Sequence, residues 1–291
     1  SYGAGTALAE AEVEYLDKKS MAVYVRFALN DASGDLAGAS MVIWTTTPWT
    51  LPANLGIAVH EQFEYVCGTF VHEDGCKQKL IVAKDLIDDF AAKTGFVLSE
   101  THSDFKGGEL EGMQASHPFL PRSAKIILAN FVTTETGTGA VHIAPGHGAD
   151  DYVAGQQNDL GLLSPVDADG KFTAECGLDE LVGQHVFKTN KRITEILKEG
   201  GDLLGSELYE HQYPHCWRSK TPIIFRAVEQ FFISLKDIRG KALEEIDKVE
   251  WLPKWGRNRI YGTVESRPDW CISRQRTWGV PLPVFFDKDG E

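Results

Sequence analysis

"VIWTTTPWTLPAN", Val42 to Asn54, sets three hydroxyls in a row between an apolar run that reads as a strand and two prolines. In an extended chain side chains alternate, so Thr45 and Thr47 share a face with Ile43, while Thr46 points with Val42 and Trp44. Pro48 holds Thr47 in an extended or polyproline conformation and brings no ladder donor, so the strand is expected to end there with amides and hydroxyls left free. Hydroxyls both donate and accept, and a β-branched side chain is stiff at χ1, a combination that suits holding a polar ligand. Threonines also favour strands for their own sake, and the triplet alone supports both readings.

Working outward, the run is one of a series. Strand-like segments recur at 22–29, 40–44, 55–60, 64–70, 79–83 and 125–133, separated by Gly, Asp and Asn turns. Helices are expected at 84–94, closed by Gly95, at 149–160, and at 190–199, capped by Thr189 and closed by Gly200 and Gly201, with a fourth over 236–248. Many short strands with few helices indicate a mixed α/β fold: a barrel-like β core decorated by helices over 20–205, behind a leading linker at 1–19. Residues 206–291 form a separate, aromatic-rich return segment.

With 291 residues, 43% hydrophobic and 24% charged, the composition is that of a globular protein of about two domains. The sequence opens on Ser1 without an initiator Met and stops just after a strand-like run, which reads as part of a longer protein. No leader and no apolar run near membrane-spanning length occurs, so the cytoplasm is the expected compartment. Five cysteines, never in a C-x-x-C pair, argue against a disulfide framework or a zinc ribbon.

The net charge of −13 is unevenly spread: residues 1–205 carry 15 Lys and Arg against 29 Asp and Glu, whereas 206–291 carry 14 against 13. Within 251–286, Lys254, Arg257, Arg259, Arg267, Arg274 and Arg276 mix with Trp251, Trp255, Trp270 and Trp278. That mixture suits a polyanion contact, and equally a solvated surface over a tryptophan core.

A second stretch, "GTGAVHIAPGHGADDY", Gly137 to Tyr152, runs from a Gly-rich turn through a strand into a Pro-Gly loop and a helix start with paired acids. Asp150 is placed to cap that helix, leaving Asp151 to face a cleft, where a carboxylate is the natural partner of a ligand ammonium group. For His142, His147, Asp150 and Asp151 three chemistries compete. A metal site has the right ligand types, but Pro145 and Gly146 break the helix that would align two histidines, and H-E-x-x-H is absent. A nucleophilic triad lacks its G-x-S-x-G elbow. Caps and turn histidines are the bland alternative.

These two stretches, with His117-Pro118-Phe119, "CWRSKTPIIFRA" at 216–227 and "RPDWCISRQRTWGVPLPVF" at 267–285, occur in an order that resembles the inserted editing region of bacterial-type isoleucyl-tRNA synthetases, over essentially the whole chain. Valyl and leucyl enzymes resemble Thr-Thr-Arg-Pro where this chain has Thr45-Thr46-Thr47-Pro48; Trp49-Thr50 and Arg274 to Gly279 point to the isoleucyl branch. HIGH-like and KMSKS-like motifs do not occur, so amino-acid activation is not expected here. Zinc-bound members have C-x-x-C where this chain has Cys216 and Ser219, and no metal or other cofactor is expected.

The resemblance implies the editing-domain fold of the valyl, isoleucyl and leucyl synthetases and hydrolysis of valine wrongly attached to isoleucine tRNA. Such editing is needed because one methylene is worth only about 1–3 kcal/mol in an apolar pocket, the isoleucine–valine pair being the case from which that range is drawn. It also implies roles. Asp151 grips the substrate ammonium; His142 and Thr47 wall off the space an extra methylene needs; Thr45, Thr46 and Asn54 place the ester, the terminal ribose and a water; Thr50 and His147 complete the lining. Asp151, Thr46 and Asn54 are the expected catalytic residues. Implied partners are the tRNA 3′ end carrying valine and the rest of the synthetase chain, with the protein acting as a monomer and touching no membrane. A binding module that holds the acceptor end without hydrolysis and a metal-dependent hydrolase are the rivals.

Overall fold

The apolar run before the threonines is a central strand. Structure is described for residues 1–30, 32–274, 279–285 and 287–288 of a computed structural model. Gln275 to Trp278, which include Arg276 and most of the isoleucyl-type motif, lie outside the described residues. Residues Ser1–Ala227 form one unit and Val228–Glu291 another.

The first unit runs β1 (Val13–Ala28), β2 (Ser40–Thr45), β3 (Gly56–Val59), β4 (Glu64–Val71), β5 (Lys77–Ala83), α1 (Ile87–Thr94), β6 (Val97–Lys106), β7 (Gln114–Ser116), β8 (Ser123–Leu128), β9 (Ala140–Ile143), α2 (Ala149–Gln157), α3 (Val186–Gly200) and β10 (Leu203–Cys216). Six strands pair in the order β10-β1-β2-β5-β4-β6 and four in the order β7-β8-β3-β9. The fold is thus the expected mixed α/β, but these sheets stay open rather than closing into a barrel.

The inner strands are apolar on both faces: Val23, Val25, Phe27, Met41, Ile43, Leu80 and Ile81 are fully buried and form one core with Tyr65, Phe70 and Phe90. Burial of each such side chain contributes on the order of 1.5–3 kcal/mol, which fixes which strands lie inside.

Two boundaries differ from expectation. β10 pairs with β1 from Val13↔Cys216 to Tyr24↔Gly205 and, past a bulge, at Val25↔Leu203, so a boundary at 205/206 falls inside a strand, and the leading linker already holds the start of β1. Helix α3 starts one turn early, at Val186, with His185 as its cap accepting from Phe187 N–H; Thr189 is buried inside it and donates to the Val186 carbonyl at 2.7 Å. The other helices follow the pattern, α1 ending on Gly95 at φ +77°.

Gly137 to Gly139 stitches the two sheets together. Thr138 Oγ1 donates to the Val42 carbonyl at 2.7 Å, and Ala83 N–H donates to the Thr138 carbonyl at 2.9 Å. Gly139 sits at φ +76°, a Cβ there would lie 2.3 Å from the Ala83 Cβ, and its carbonyl accepts the buried Tyr65 hydroxyl at 2.6 Å. Gly139→Ala combines a left-handed backbone with overpacking and is expected to destabilise by about 2–4 kcal/mol. Urea unfolding measures it; a loss within error would show that the seam yields freely.

The second unit holds β11 (Phe232–Ile233), α4 (Lys236–Lys248), α5 (Gly256–Glu265) and β12 (Trp270–Cys271), with β11 and β12 paired antiparallel. Trp255 and Trp270 are exposed, Trp251 donates its indole N–H to the Ile246 carbonyl at 2.9 Å, and Arg257 is paired with Asp247. Those exposed rings do not form a tryptophan core. No helix among the described residues is long and apolar enough to cross a membrane.

Candidate functional site

Strand β2 stops at Thr45, two residues before the expected end, because its own hydroxyl turns the chain. Thr47 N–H donates to Thr45 Oγ1 at 3.1 Å, and the two hydroxyls lie 3.2 Å apart. Both therefore share a side, as the alternation predicts. Pro48 then starts a short 3₁₀ turn, Pro48–Ala53, whose residues are all buried. Pro at the first helical position costs nothing, since that N–H has no partner there in any case.

The turn presents Thr50, and Asn54 closes it two residues before β3. His142 comes from β9, opposite Ile57 of β3. Asn54 Nδ2 lies 2.8 Å from the Gly56 carbonyl and 3.3 Å from His142 Nδ1. The carbonyl can only accept, which orients the amide and makes Nδ2 the donor to both. Nδ1 of His142 is then an acceptor, the ring carries its proton on Nε2, and Nε2–H donates to Thr50 Oγ1 at 2.9 Å. Thr50 Oγ1 passes its own proton to the Thr47 carbonyl at 2.8 Å. The result is a one-way chain, Asn54 to His142 to Thr50 to Thr47. Burial holds the His142 imidazole well below its usual range, at about 4, so it is neutral at physiological pH in one tautomer. A ring with both nitrogens engaged is held in one orientation as a fixed dipole.

Thr46 is the exception among the three. It is half-buried, and its hydroxyl makes no hydrogen bond among the described residues. Thr45, Thr47 and Thr50 spend theirs on each other and on the backbone. Asn54 is 1% exposed; its Nδ2 is bonded internally, while Oδ1 has no hydrogen-bond partner among the described residues.

Asp151 lies in the first turn of α2. Asp150 is exposed and makes no capping bond; the cap position is Gly148. Asp151 folds back instead: Oδ2 accepts from Ala144 N–H at 2.8 Å, and the carboxyl sits so close over Gly148 that a Cβ there would meet it at 3.0 Å. Burial, together with Asp150 nearby, raises the Asp151 carboxyl to about 6. No hydrogen bond joins it to the threonine–histidine chain. His147 is buried, Nδ1 donating to the Phe225 carbonyl at 2.9 Å and the ring lying edge-on to Trp49 at 5.1 Å, while Nε2 has no hydrogen-bond partner among the described residues.

Three residues outside the predicted site hold the 3₁₀ turn: His117, Arg122 and Asn190. His117 was visible as part of a motif; Asn190 stands in the polar string Lys188 to Arg192 and carries no sequence signal. A hollow of about 140 Å³ lined by Trp44, Phe131, Thr133, Thr136 and the Gly137 loop lies next to the seam, and its lining includes none of the expected site residues. Among the described residues no group of three or more His, Cys, Asp or Glu side chains could hold a metal ion.

A protein whose editing-type motifs sit at the end of an open, helix-decorated double sheet can be placed by comparison. The chain belongs to the class I tRNA synthetases (I, L, M and V), whose family model matches residues 1–291. Within that family its similarity runs to isoleucine–tRNA ligases: 49% identity over 286 residues with that of Desulforamulus reducens and 51% over 288 with that of Thermotoga maritima, each covering 98% of this chain. The chain spans 30% of the length of these relatives. Among solved structures it resembles a leucyl-tRNA synthetase CP1 region (TM-score 0.51, 12% identity, 64% of this chain and 99% of that one). It likewise resembles the editing domain of the P. knowlesi cytosolic leucyl-tRNA synthetase (TM-score 0.51, 11% identity, 67% and 97%). The fold is therefore that of a synthetase editing domain, as the motifs imply.

Proposed function

We propose that this chain hydrolyses the ester of valine attached to isoleucine tRNA and spares isoleucine by size. The observation that carries the reading is His142, a neutral ring locked by Asn54 and Thr50 into one orientation. A size filter needs a wall that does not yield, since a mobile side chain would move aside for one methylene.

In this reading the α-ammonium of the aminoacyl group pairs with Asp151, whose free oxygen is available once Oδ2 has taken the Ala144 N–H. Thr46 offers its hydroxyl to the ester or the terminal ribose. Asn54 serves as a positioning residue behind His142. Water attacks an ester already activated by its vicinal hydroxyl, and no protein nucleophile and no cofactor is invoked; the rate comes from orientation and from hydrogen bonds to the developing oxyanion. The substrate partner is the 3′ end of the tRNA, delivered by the rest of the synthetase to a single copy of this chain.

The test follows ester loss from valyl-tRNA and isoleucyl-tRNA, both built on isoleucine tRNA, with the chain alone and within a full-length synthetase. Selective loss of valine is expected. Equal loss of both esters would remove the sieve, and tRNA binding without any loss would assign a binding module instead.

A further inference from the structure

The 3₁₀ turn that carries Thr50 is gripped from two sides by residues that do not reach the site. From the β7–β8 connection, His117 is 5% exposed and fully bonded. Its Nδ1 accepts the N–H groups of Phe119 at 3.3 Å and Leu120 at 3.2 Å, which places the proton on Nε2, and Nε2–H donates to the Leu51 carbonyl at 2.9 Å. Arg122 of the same connection donates to the neighbouring Pro52 carbonyl. From α3, Asn190 Oδ1 accepts the Trp49 N–H at 3.0 Å.

Leu51 O is a node. It accepts both His117 Nε2–H and, at 2.9 Å, the N–H of Asn54. Asn54 in turn orients His142, and Thr50, in the middle of the gripped segment, holds the other ring nitrogen. A shift of the turn therefore moves both partners of His142 together.

We propose that His117, with Asn190 opposite, is a positioning residue for the sieve: it sets selectivity by fixing the turn whose Thr50 and Asn54 lock His142. This rests on the editing reading for its consequence, but the lock itself does not. A merely structural histidine would lower stability without touching the state of a ring it does not contact.

Two substitutions separate the parts. His117→Gln keeps a donor in reach of Leu51 O; His117→Asn keeps an acceptor for Phe119 and Leu120 but cannot reach Leu51. Two readouts are taken on the 291-residue chain: imidazole ¹⁵N shifts, with His142→Gln identifying the signal of His142, and the ratio of valyl to isoleucyl ester loss. The unsubstituted chain should show His142 as the pure Nε2–H tautomer. His117→Asn should give a mixture and lower the selectivity ratio about 5- to 10-fold, the scale of one lost hydrogen bond, while His117→Gln restores both. Asn190→Ala, on a half-buried helix face, repeats the test from the other side should His117→Asn fail to fold. A His142 signal unchanged in His117→Asn, or in Asn190→Ala, overturns the proposal. The nitrogen spectrum decides the lock whether or not any ester is hydrolysed, so its failure is distinct from failure of the editing assignment.

Discussion

At pH 7, Asp151→Asn is expected to remove ester hydrolysis and at the same time to raise the unfolding midpoint. The activity loss follows from the role proposed for the carboxylate: truncating one partner of a buried charge pair costs roughly 2–5 kcal/mol, or about 30- to 5,000-fold in rate. The gain in stability follows from burial. Asparagine retains the acceptor for Ala144 N–H but carries no charge, whereas the native carboxyl is raised from 3.8 to about 6 mainly because its ionised form is desolvated. A carboxyl that binds its proton more tightly folded than unfolded contributes stability that is full below about 3.8 and is lost as pH rises through about 6. The advantage of Asp151→Asn should therefore be present at pH 7.5 and gone by pH 4. Denaturant melts at those two values check the sign. Undiminished hydrolysis would sink the ammonium role, and a variant less stable at pH 7.5 would show that the carboxylate is stabilised in the fold.

The strands that could be read from the sequence are those buried on both faces. Residues 40–44, 64–70 and 79–83 have apolar side chains to either side, so composition alone marks them. Of the strands that the sequence does not announce, β6 and β10 are the two edges of the six-stranded sheet and β7 is an edge of the four-stranded one, while β11 and β12 are only two residues long. Edge strands carry polar side chains outward as protection against further pairing, which leaves segments such as Val97–Lys106 and Leu203–Cys216 with weak apolar patterning. That is also why the domain boundary was drawn inside β10.

The site divides in a similar way. The residues that form the chain of hydrogen bonds, Thr47 through its carbonyl and Thr50, Asn54 and His142 through their side chains, lie in motifs that family resemblance singles out, yet their division of labour depends on which atoms face which. Residue types cannot say that Asn54 is turned inward, that Asp151 rather than Asp150 folds back over Gly148, or that His147 Nδ1 bonds the Phe225 carbonyl. Asn190 was illegible for a different reason: a surface-like asparagine becomes a clamp only when a helix and a turn distant in sequence come together.

His142→Ala is expected to lower the discrimination of valine over isoleucine by about 10- to 200-fold, the 1–3 kcal/mol range of one methylene, while valyl hydrolysis persists. Removing the ring opens the space that the wall denies, and it leaves Thr50 Oγ1 and Asn54 Nδ2 each with one bond fewer while they keep the Thr47 and Gly56 carbonyls, which costs about 1–3 kcal/mol of stability for the two lost bonds together. The measurement is the rate of isoleucyl-tRNA deacylation at saturating protein; a variant that still spares isoleucine would show that another side chain sets the size limit. Selectivity and rate should also part company with pH. Because His142 is held near 4, it stays neutral from pH 5 to 8 and the valine-to-isoleucine ratio should be flat over that range. The rate should fall as pH drops through about 6, where Asp151 takes up its proton and can no longer pair with the ammonium. A ratio that moved in step with the rate would mean that one group does both jobs, and the separation of a rigid neutral wall from a titrating anchor would not hold.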